Sequence, residues 1–365
     1  MSILREQGFM DTSKLKKFAQ FARRALLEQV EAKMDAVLAV SSAARREAAE
    51  AVNQLEQQIS EHGRESVVER AAYTWFNRFC ALRYMDVNGY TKVGIVSPAK
   101  EFIQPEVLTE AKQGQIDEDW KVDRNTVLAL LSGTRPSQYP QQEAYRLLLV
   151  AACNYYHSQM PFMFEKIEDF TELLLPDDLL SGNSVLTYTR ETLLPENCSP
   201  EFTEESVEVI GWLYQFYISE KKDEVFAALK KGKKITPENI PAATQLFTPH
   251  WIVRYLVENS LGRLWMLNHP ESKLFQNMKD RGEDCYYIEA EEPETDFLRI
   301  SSPEEIKICD PACGSGHMLT YAFDLLYAIY EEQGYQASEM PTLILKHNLY
   351  GIEIDQRAGA LAAFA

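Results

Sequence analysis

The sequence predicts an α/β protein, a mostly helical N-terminal region followed by the opening of a Rossmann-like domain. Three observations carry this. An apolar run, Ile306-Lys307-Ile308-Cys309, passes directly into a glycine turn, Asp310-Pro311-Ala312-Cys313-Gly314-Ser315-Gly316-His317, and then into an amphipathic stretch. A second apolar run ending in acid, Leu349-Tyr350-Gly351-Ile352-Glu353-Ile354-Asp355, follows one crossover later. The region before residue 240 reads as mostly helical, with proline-marked irregular stretches between the helices.

In chain order, residues 1–62 are expected to form a helical hairpin. Asp11 or Thr12 can cap a helix in which Leu15, Phe18, Ala22, Leu26 and Val30 recur on one face, and Ala43 to Ile59 continues as an alanine- and glutamine-rich second helix. Residues 63–240 are expected to be a mostly helical domain. After the break at His62-Gly63, Tyr73, Trp75, Phe76, Phe79 and Tyr84 encircle any helix drawn through Val67 to Tyr84, so that helix is buried. Further helices are expected at Gln141 to Tyr156, Glu204 to Ile218 and Lys221 to Leu229, with proline-marked irregular stretches between. Residues 241–365 are expected to open the third domain. Thr248 is placed to cap a helix with Pro249 in its first turn and Ile252, Val253 and Leu256 as its buried stripe. The stretch from Asn268 to Pro303 is polar and acidic and is expected to be a long surface excursion. In the crossover, His317 to Glu332 is helical with Leu319, Phe323, Leu326 and Tyr330 on one face, and Pro341 to His347 adds a short helix before a second buried strand.

Composition narrows the function. With 365 residues, 45% hydrophobic and 11% aromatic, the chain has ample material for a core. A formal net charge of −18 argues against a uniformly basic nucleic-acid surface, so any DNA contact here uses local patches such as Lys14, Lys16, Lys17, Arg23 and Arg24, or Lys230, Lys231, Lys233 and Lys234. Solvated faces are the expected role of both. The six cysteines match no zinc signature and are expected to be reduced thiols; no signal peptide or apolar span is evident, which points to the cytoplasm.

The glycine turn carries the chemistry. Glycines at a helix start let backbone amides approach a ligand, while an acid at the strand end accepts hydrogen bonds from it. The turn fails the dinucleotide pattern, because Leu319 stands where a third glycine would, and no Gly-Lys-Ser/Thr follows for a P-loop. Asp310 would repel a phosphate, so a ligand carrying an ammonium group fits better. Glu353 is placed to grip two ribose hydroxyls, although it comes roughly forty residues after Asp310 rather than about 20 as in the dinucleotide fingerprint. The helix start at Thr248 suits an anion such as a carboxylate.

The octet resembles motif I of S-adenosylmethionine-dependent DNA adenine methyltransferases, and Gln245-Leu246-Phe247-Thr248-Pro249-His250 resembles their motif X. Motif X before motif I is similar to the gamma group of amino-methyltransferases. The resemblance implies a class I methyltransferase domain whose S-adenosylmethionine lies against Phe247, Thr248, Pro249, Asp310, Pro311, Ala312, Gly314, Gly316, Glu353 and Ile354, with no metal. Met10 to Leu15, Ala72 to Arg78, Gly211 to Gln215 and Thr244 to Tyr255 further resemble the PglX family, adenine-specific methyltransferases of BREX phage-defence systems. This implies double-stranded DNA and other defence proteins as partners, and no membrane. The catalytic Asn/Asp-Pro-Pro-Tyr/Phe of such enzymes does not occur in this sequence, so it is expected beyond residue 365 and the chain is expected to be an N-terminal part. Type IIG restriction-modification enzymes share this architecture. The Glu-x-Lys spacings at Glu31-Ala32-Lys33 and Glu220-Lys221-Lys222 lie in helical periodicity and are expected to be surface charge rather than a nuclease site. A scaffold with a vestigial pocket, or a methyltransferase acting on RNA or protein, are the remaining alternatives.

Overall fold

Long helices dominate because apolar side chains recur every three to four residues through most of the chain. The computed structural model describes residues 12–164, 170–199, 206–246, 248–292 and 294–365. It divides into two compact units, Met1–Glu224 and Val225–Ala365, the division falling inside the helix Glu208–Lys230.

In the first unit, Thr12–Leu38 and Ala49–His62 both pack on Arg64–Val87, the aromatic helix. Tyr73, Trp75, Phe76, Phe79 and Tyr84 are all buried, as their encircling distribution predicts. Tyr73 and Phe76 meet Tyr217 with ring centroids 5.1 and 4.5 Å apart, and the Trp75 indole N–H donates to the Thr171 carbonyl at 3.1 Å. At the end of this helix the Asp86 carboxylate accepts the backbone N–H groups of Ile95, Val96 and Ser97, which folds the following loop onto it. The expected break near Ser219 is absent: Glu208–Lys230 is one helix, because Glu220, Lys221 and Lys222 form a polar patch on its surface rather than a terminus. Glu220 pairs with Arg23 and Arg24, and Lys221 with Glu69, so the Glu-x-Lys letters are helical surface charge. Asp11, the other candidate cap, lies outside the described residues.

The second unit holds the described strands. β1, Ile308–Asp310, and β2, Leu349–Gly351, are parallel, in register Ile308 to Leu349, Cys309 to Tyr350 and Asp310 to Gly351. Between them run the crossover helix His317–Glu332 and the short helix Met340–His347. The described chain is therefore mostly helical with a two-stranded sheet, less strand than the predicted α/β class implies. Tyr321, Ala322, Leu325, Leu326, Ile329 and Tyr330 form the buried face of the crossover helix; Leu319 and Phe323 are only half-buried. β2 was expected to be buried, yet Tyr350, Ile352 and Ile354 are exposed, because helices cover one face of the strand pair only.

Upstream of β1, His250–Val257, a π-turn at Glu258–Gly262 and Arg263–Asn268 form one continuous helix, here the upstream helix. Its buried residues are Val253, Arg254, Val257, Glu258, Leu261, Gly262 and Trp265, in rows spaced by four. Such rows drift round an α-helix of 3.6 residues per turn, and a turn closed by i to i+5 bonds holds extra residues and keeps them on one face. This displaces the predicted stripe: Leu256 is exposed and Ile252 only half-buried. The excursion from Asn268 to Pro303 is more ordered than its polarity predicts. It contains the helix Leu274–Asp280, and two asparagines hold its extended return. Asn259 donates to the Tyr286 carbonyl and accepts the Ile288 N–H, while Asn268 does the same for Leu298 and Ile300.

Candidate cofactor site

The site grows from the point where the parallel ladder ends. The Ile352 N–H donates to the Asp310 carbonyl at 2.9 Å and the Cys313 N–H to the Ile352 carbonyl at 3.1 Å. Between those bonds sits Pro311, which has no N–H to donate, so the chain peels off the ladder and turns. The Asp310 carboxylate accepts the Ala312 N–H at 3.1 Å, bracing the turn at its entry. Gly314 (φ 57°) and Gly316 (φ 87°) both adopt left-handed backbone, which a side chain disfavours by about 1–2 kcal/mol.

The two glycines serve different ends. A Cβ on Gly316 would lie 3.0 Å from both Cα and Cβ of Ala362, so this glycine lets the helix Gln356–Phe364 pack against the turn. A Cβ on Gly314 would meet nothing within 4 Å, so this glycine answers to its left-handed backbone rather than to packing, and the space over its peptide is open.

Glu353 reaches this turn from beyond β2. Its Oε2 accepts the Gly314 N–H at 2.7 Å and its Oε1 accepts the Asp355 N–H at 2.9 Å. Each carboxylate oxygen has a second lone pair, so both can still accept a hydroxyl proton. Asp355 then caps the helix Gln356–Phe364, accepting the Arg357 N–H at 3.0 Å. The Cys313 thiol, under the turn, is pushed up by burial and by the neighbouring Asp310 and Glu353 carboxylates.

Of the predicted residues, Asp310, Pro311, Ala312, Gly314, Gly316, Glu353 and Ile354 thus fall on the turn or the segment bonded to it. Pro311, Ala312 and Ile354 are exposed, Asp310, Gly314 and Glu353 half-buried. Thr248 and Pro249 stand ahead of the upstream helix, which begins at His250. Pro249 rather than Thr248 occupies the cap position, and no side chain caps it. The Ile252 and Val253 N–H groups donate instead to the Pro249 carbonyl. Phe247 lies outside the described residues. The start of the upstream helix meets that of the crossover helix, with the His250 and His317 rings stacked 6.1 Å apart.

Sequence reasoning missed Asn348. Fully buried, it donates to the Pro303 and Ile306 carbonyls at 2.7 and 2.9 Å and accepts the Tyr330 hydroxyl at 3.0 Å, while its own carbonyl accepts the Ile308 N–H at 2.7 Å. It pins the start of β1 to β2 and to the crossover helix, and so sets where Asp310 falls. Gly351 was also missed: a Cβ there would lie 3.0 Å from Cys313 Sγ and Leu319 Cδ1.

Two parallel strands with acidic residues at and beyond their C-terminal ends, Asp310 and Glu353, are thus joined by a crossover helix that starts at a glycine turn. No protein-family profile matches the chain. It is homologous to two curated proteins. Adenine-specific methyltransferase BrxX of Escherichia coli O9:H4 (strain HS) is 46% identical over 319 residues, covering 84% of this chain and 24% of BrxX. Adenine-specific methyltransferase PglX of Lacticaseibacillus casei (strain Zhang) is 33% identical over 400 aligned residues, covering 98% of this chain and 32% of PglX. The chain therefore spans 24% and 32% of the length of these two relatives. No helix among the described residues is long and apolar enough to cross a membrane.

Proposed function

We propose that this chain forms the methyl-donor-binding part of an adenine-specific DNA methyltransferase of a BREX-type phage-defence system, acting in the cytoplasm with other defence proteins. The observation that carries the reading is the turn itself, two carboxylates and an open glycine at the ends of a parallel strand pair, in a chain homologous to proteins named for that activity. β1 and β2 are on this reading the first strands of a Rossmann-like sheet, preceded by a helical hairpin over residues 1–62 and a mostly helical domain over residues 63–240.

The residues present fit S-adenosylmethionine. Asp310, at the strand end, faces an ammonium group; Glu353 accepts the ribose hydroxyls; the peptide at Gly314 lies against the ligand without a side chain intervening; Ile354, exposed beside Glu353, offers an apolar surface to the adenine ring. Thr248 and Pro249, with Phe247 before them, bring the upstream helix start towards the carboxylate. The bound donor supplies a methyl made electrophilic by its positive sulfur. This chain's residues bind and orient, which is the larger part of such catalysis. The acceptor is an adenine flipped from duplex DNA, gripped by an Asn/Asp-Pro-Pro-Tyr/Phe motif that this sequence does not contain.

The test is methyl transfer from labelled S-adenosylmethionine by the full-length protein with its defence partners. Label recovered as N6-methyladenine in double-stranded DNA supports the reading. Label in RNA or protein, with none in DNA, contradicts it.

A further inference from the structure

Near their starts the upstream helix and the crossover helix face each other through polar side chains, in a core that is mostly apolar. His250, Arg254 and Glu258 are spaced by four on one helix, and His317 and Tyr321 by four on the other, so each set forms a row on one face. The rows meet rung by rung. His250 stacks on His317 at 6.1 Å and lies edge-on to Tyr321 at 5.9 Å. The Arg254 guanidinium sits over the Tyr321 ring at 5.2 Å. Glu258, wholly buried, accepts the Tyr321 hydroxyl at 2.7 Å and Arg254 Nε at 3.3 Å on Oε1, and the Tyr286 N–H at 2.6 Å on Oε2. Arg254 also donates to the Asp284 carbonyl.

Core stability does not require this arrangement. Buried ion pairs replaced by well-packed apolar residues often cost nothing, whereas a buried polar set can specify one register. Deeper in the unit the same helices meet through apolar residues, among them Leu261, Trp265, Leu325 and Ile329. The buried ionic rungs lie in the half nearest the two helix starts, where Thr248-Pro249 enters one helix and Gly316 the other; at the far end the Trp265 indole N–H donates to the Glu332 carboxylate at 3.5 Å. The π-turn begins at Glu258, and such turns gather where a helix must present a functional side chain. Burial, then the bond to Glu258, pushes the Tyr321 hydroxyl far above its ordinary range, so it remains a donor at every physiological pH.

We propose that Glu258 is a positioning residue: through Tyr321 and Arg254 it locks the Thr248-Pro249 helix start against the Gly316 helix start, holding both at the separation that one S-adenosylmethionine needs. The inference rests on the methyl-donor reading above and adds to it residues that never touch the ligand.

The test compares Tyr321→Phe, Glu258→Gln and, as control, Tyr335→Phe in the full-length protein. Tyr335 also donates to a carboxylate, Glu304, at 2.7 Å, but beyond the far end of the crossover helix. A hydrogen bond to a charged group is worth about tenfold or more in an equilibrium constant, so Tyr321→Phe is expected to weaken S-adenosylmethionine binding about tenfold. KM for the cofactor rises in step, while DNA affinity and the rate at saturating cofactor change less than about twofold. Tyr335→Phe leaves cofactor affinity unchanged. Glu258→Gln keeps an acceptor for Tyr321 but leaves Arg254 uncompensated, and it is expected to show the same split. If it fails to fold, Tyr321→Phe, which keeps the ring, still decides. A lowered melting temperature with unaltered cofactor affinity, measured well below melting, overturns the inference while leaving the methyl-donor reading intact. Wild-type protein that binds no S-adenosylmethionine overturns that reading and the inference with it.

Discussion

Asn348→Ala is the most informative perturbation of the scaffold, because one side chain closes three buried hydrogen bonds that join β1, β2 and the crossover helix. Truncation leaves the Pro303 and Ile306 carbonyls and the Tyr330 hydroxyl without that partner in a site shut off from water. Each such bond is worth about 1 kcal/mol net, so the local loss is about 3 kcal/mol. A chain of two compact units has no single unfolding free energy, so the assay must be local. Hydrogen exchange at the Ile308, Cys313 and Ile352 amides, which are bonded within or just beyond the strand pair, reports the opening of that pair. About 3 kcal/mol corresponds to exchange faster by about a hundredfold at these amides, with the amides of Arg64–Val87 in the other unit unchanged. Protection within about twofold of wild type at Ile308 and Ile352 would refute the claim that Asn348 places the strand end.

Three further outcomes follow from the site. Gly316→Ala adds a left-handed penalty of about 1–2 kcal/mol to a Cβ pressed 3.0 Å from Ala362, so limited proteolysis should cut the Gln356–Phe364 helix sooner, whereas unchanged cleavage contradicts the contact. Glu353→Gln removes charge from the acceptor of the ribose hydroxyls and should weaken S-adenosylmethionine about tenfold in equilibrium dialysis; S-adenosylmethionine binding unaltered by the change removes Glu353 from the site. The raised Cys313 thiol holds less thiolate at pH 8 than a free cysteine, so iodoacetamide should label it more slowly than in the denatured protein, the rate climbing with pH. Asp310→Asn should bring that profile down in pH, and an unshifted profile would show that the carboxylate does not act on the thiol.

The parts legible in the sequence are those that a single residue type enforces. Gly314 and Gly316 mark left-handed backbone, so the turn and the crossover helix from His317 to Glu332 fall where the letters put them, whereas β1 starts at Ile308 rather than Ile306 and β2 stops at Gly351 rather than Asp355. The aromatic helix was legible for the same reason, since rings distributed all round a helix leave no face for water. What the sequence hid depends on tertiary partners. A break was expected between Ile218 and Lys221, but Glu69 across the unit pairs with Lys221 and the helix runs through. Thr248 had the chemistry of a cap, yet the helix starts one residue past Pro249. Asn348 and the Glu258–Tyr321 bond join residues up to 63 positions apart, and no local pattern announces a partner at that distance. One signal was available: His250, Arg254 and Glu258 repeat every four residues in a helix whose neighbours at the same spacing are apolar.

The claim on which the whole reading depends is that the turn from Asp310 to Gly316 holds S-adenosylmethionine. Isothermal titration of the cofactor into full-length protein, wild type beside Asp310→Ala, tests it most directly. The account predicts saturable binding by wild type and a loss of about tenfold to a hundredfold in affinity on removing the carboxylate that faces the ammonium group. Equal affinity in the two proteins would contradict it.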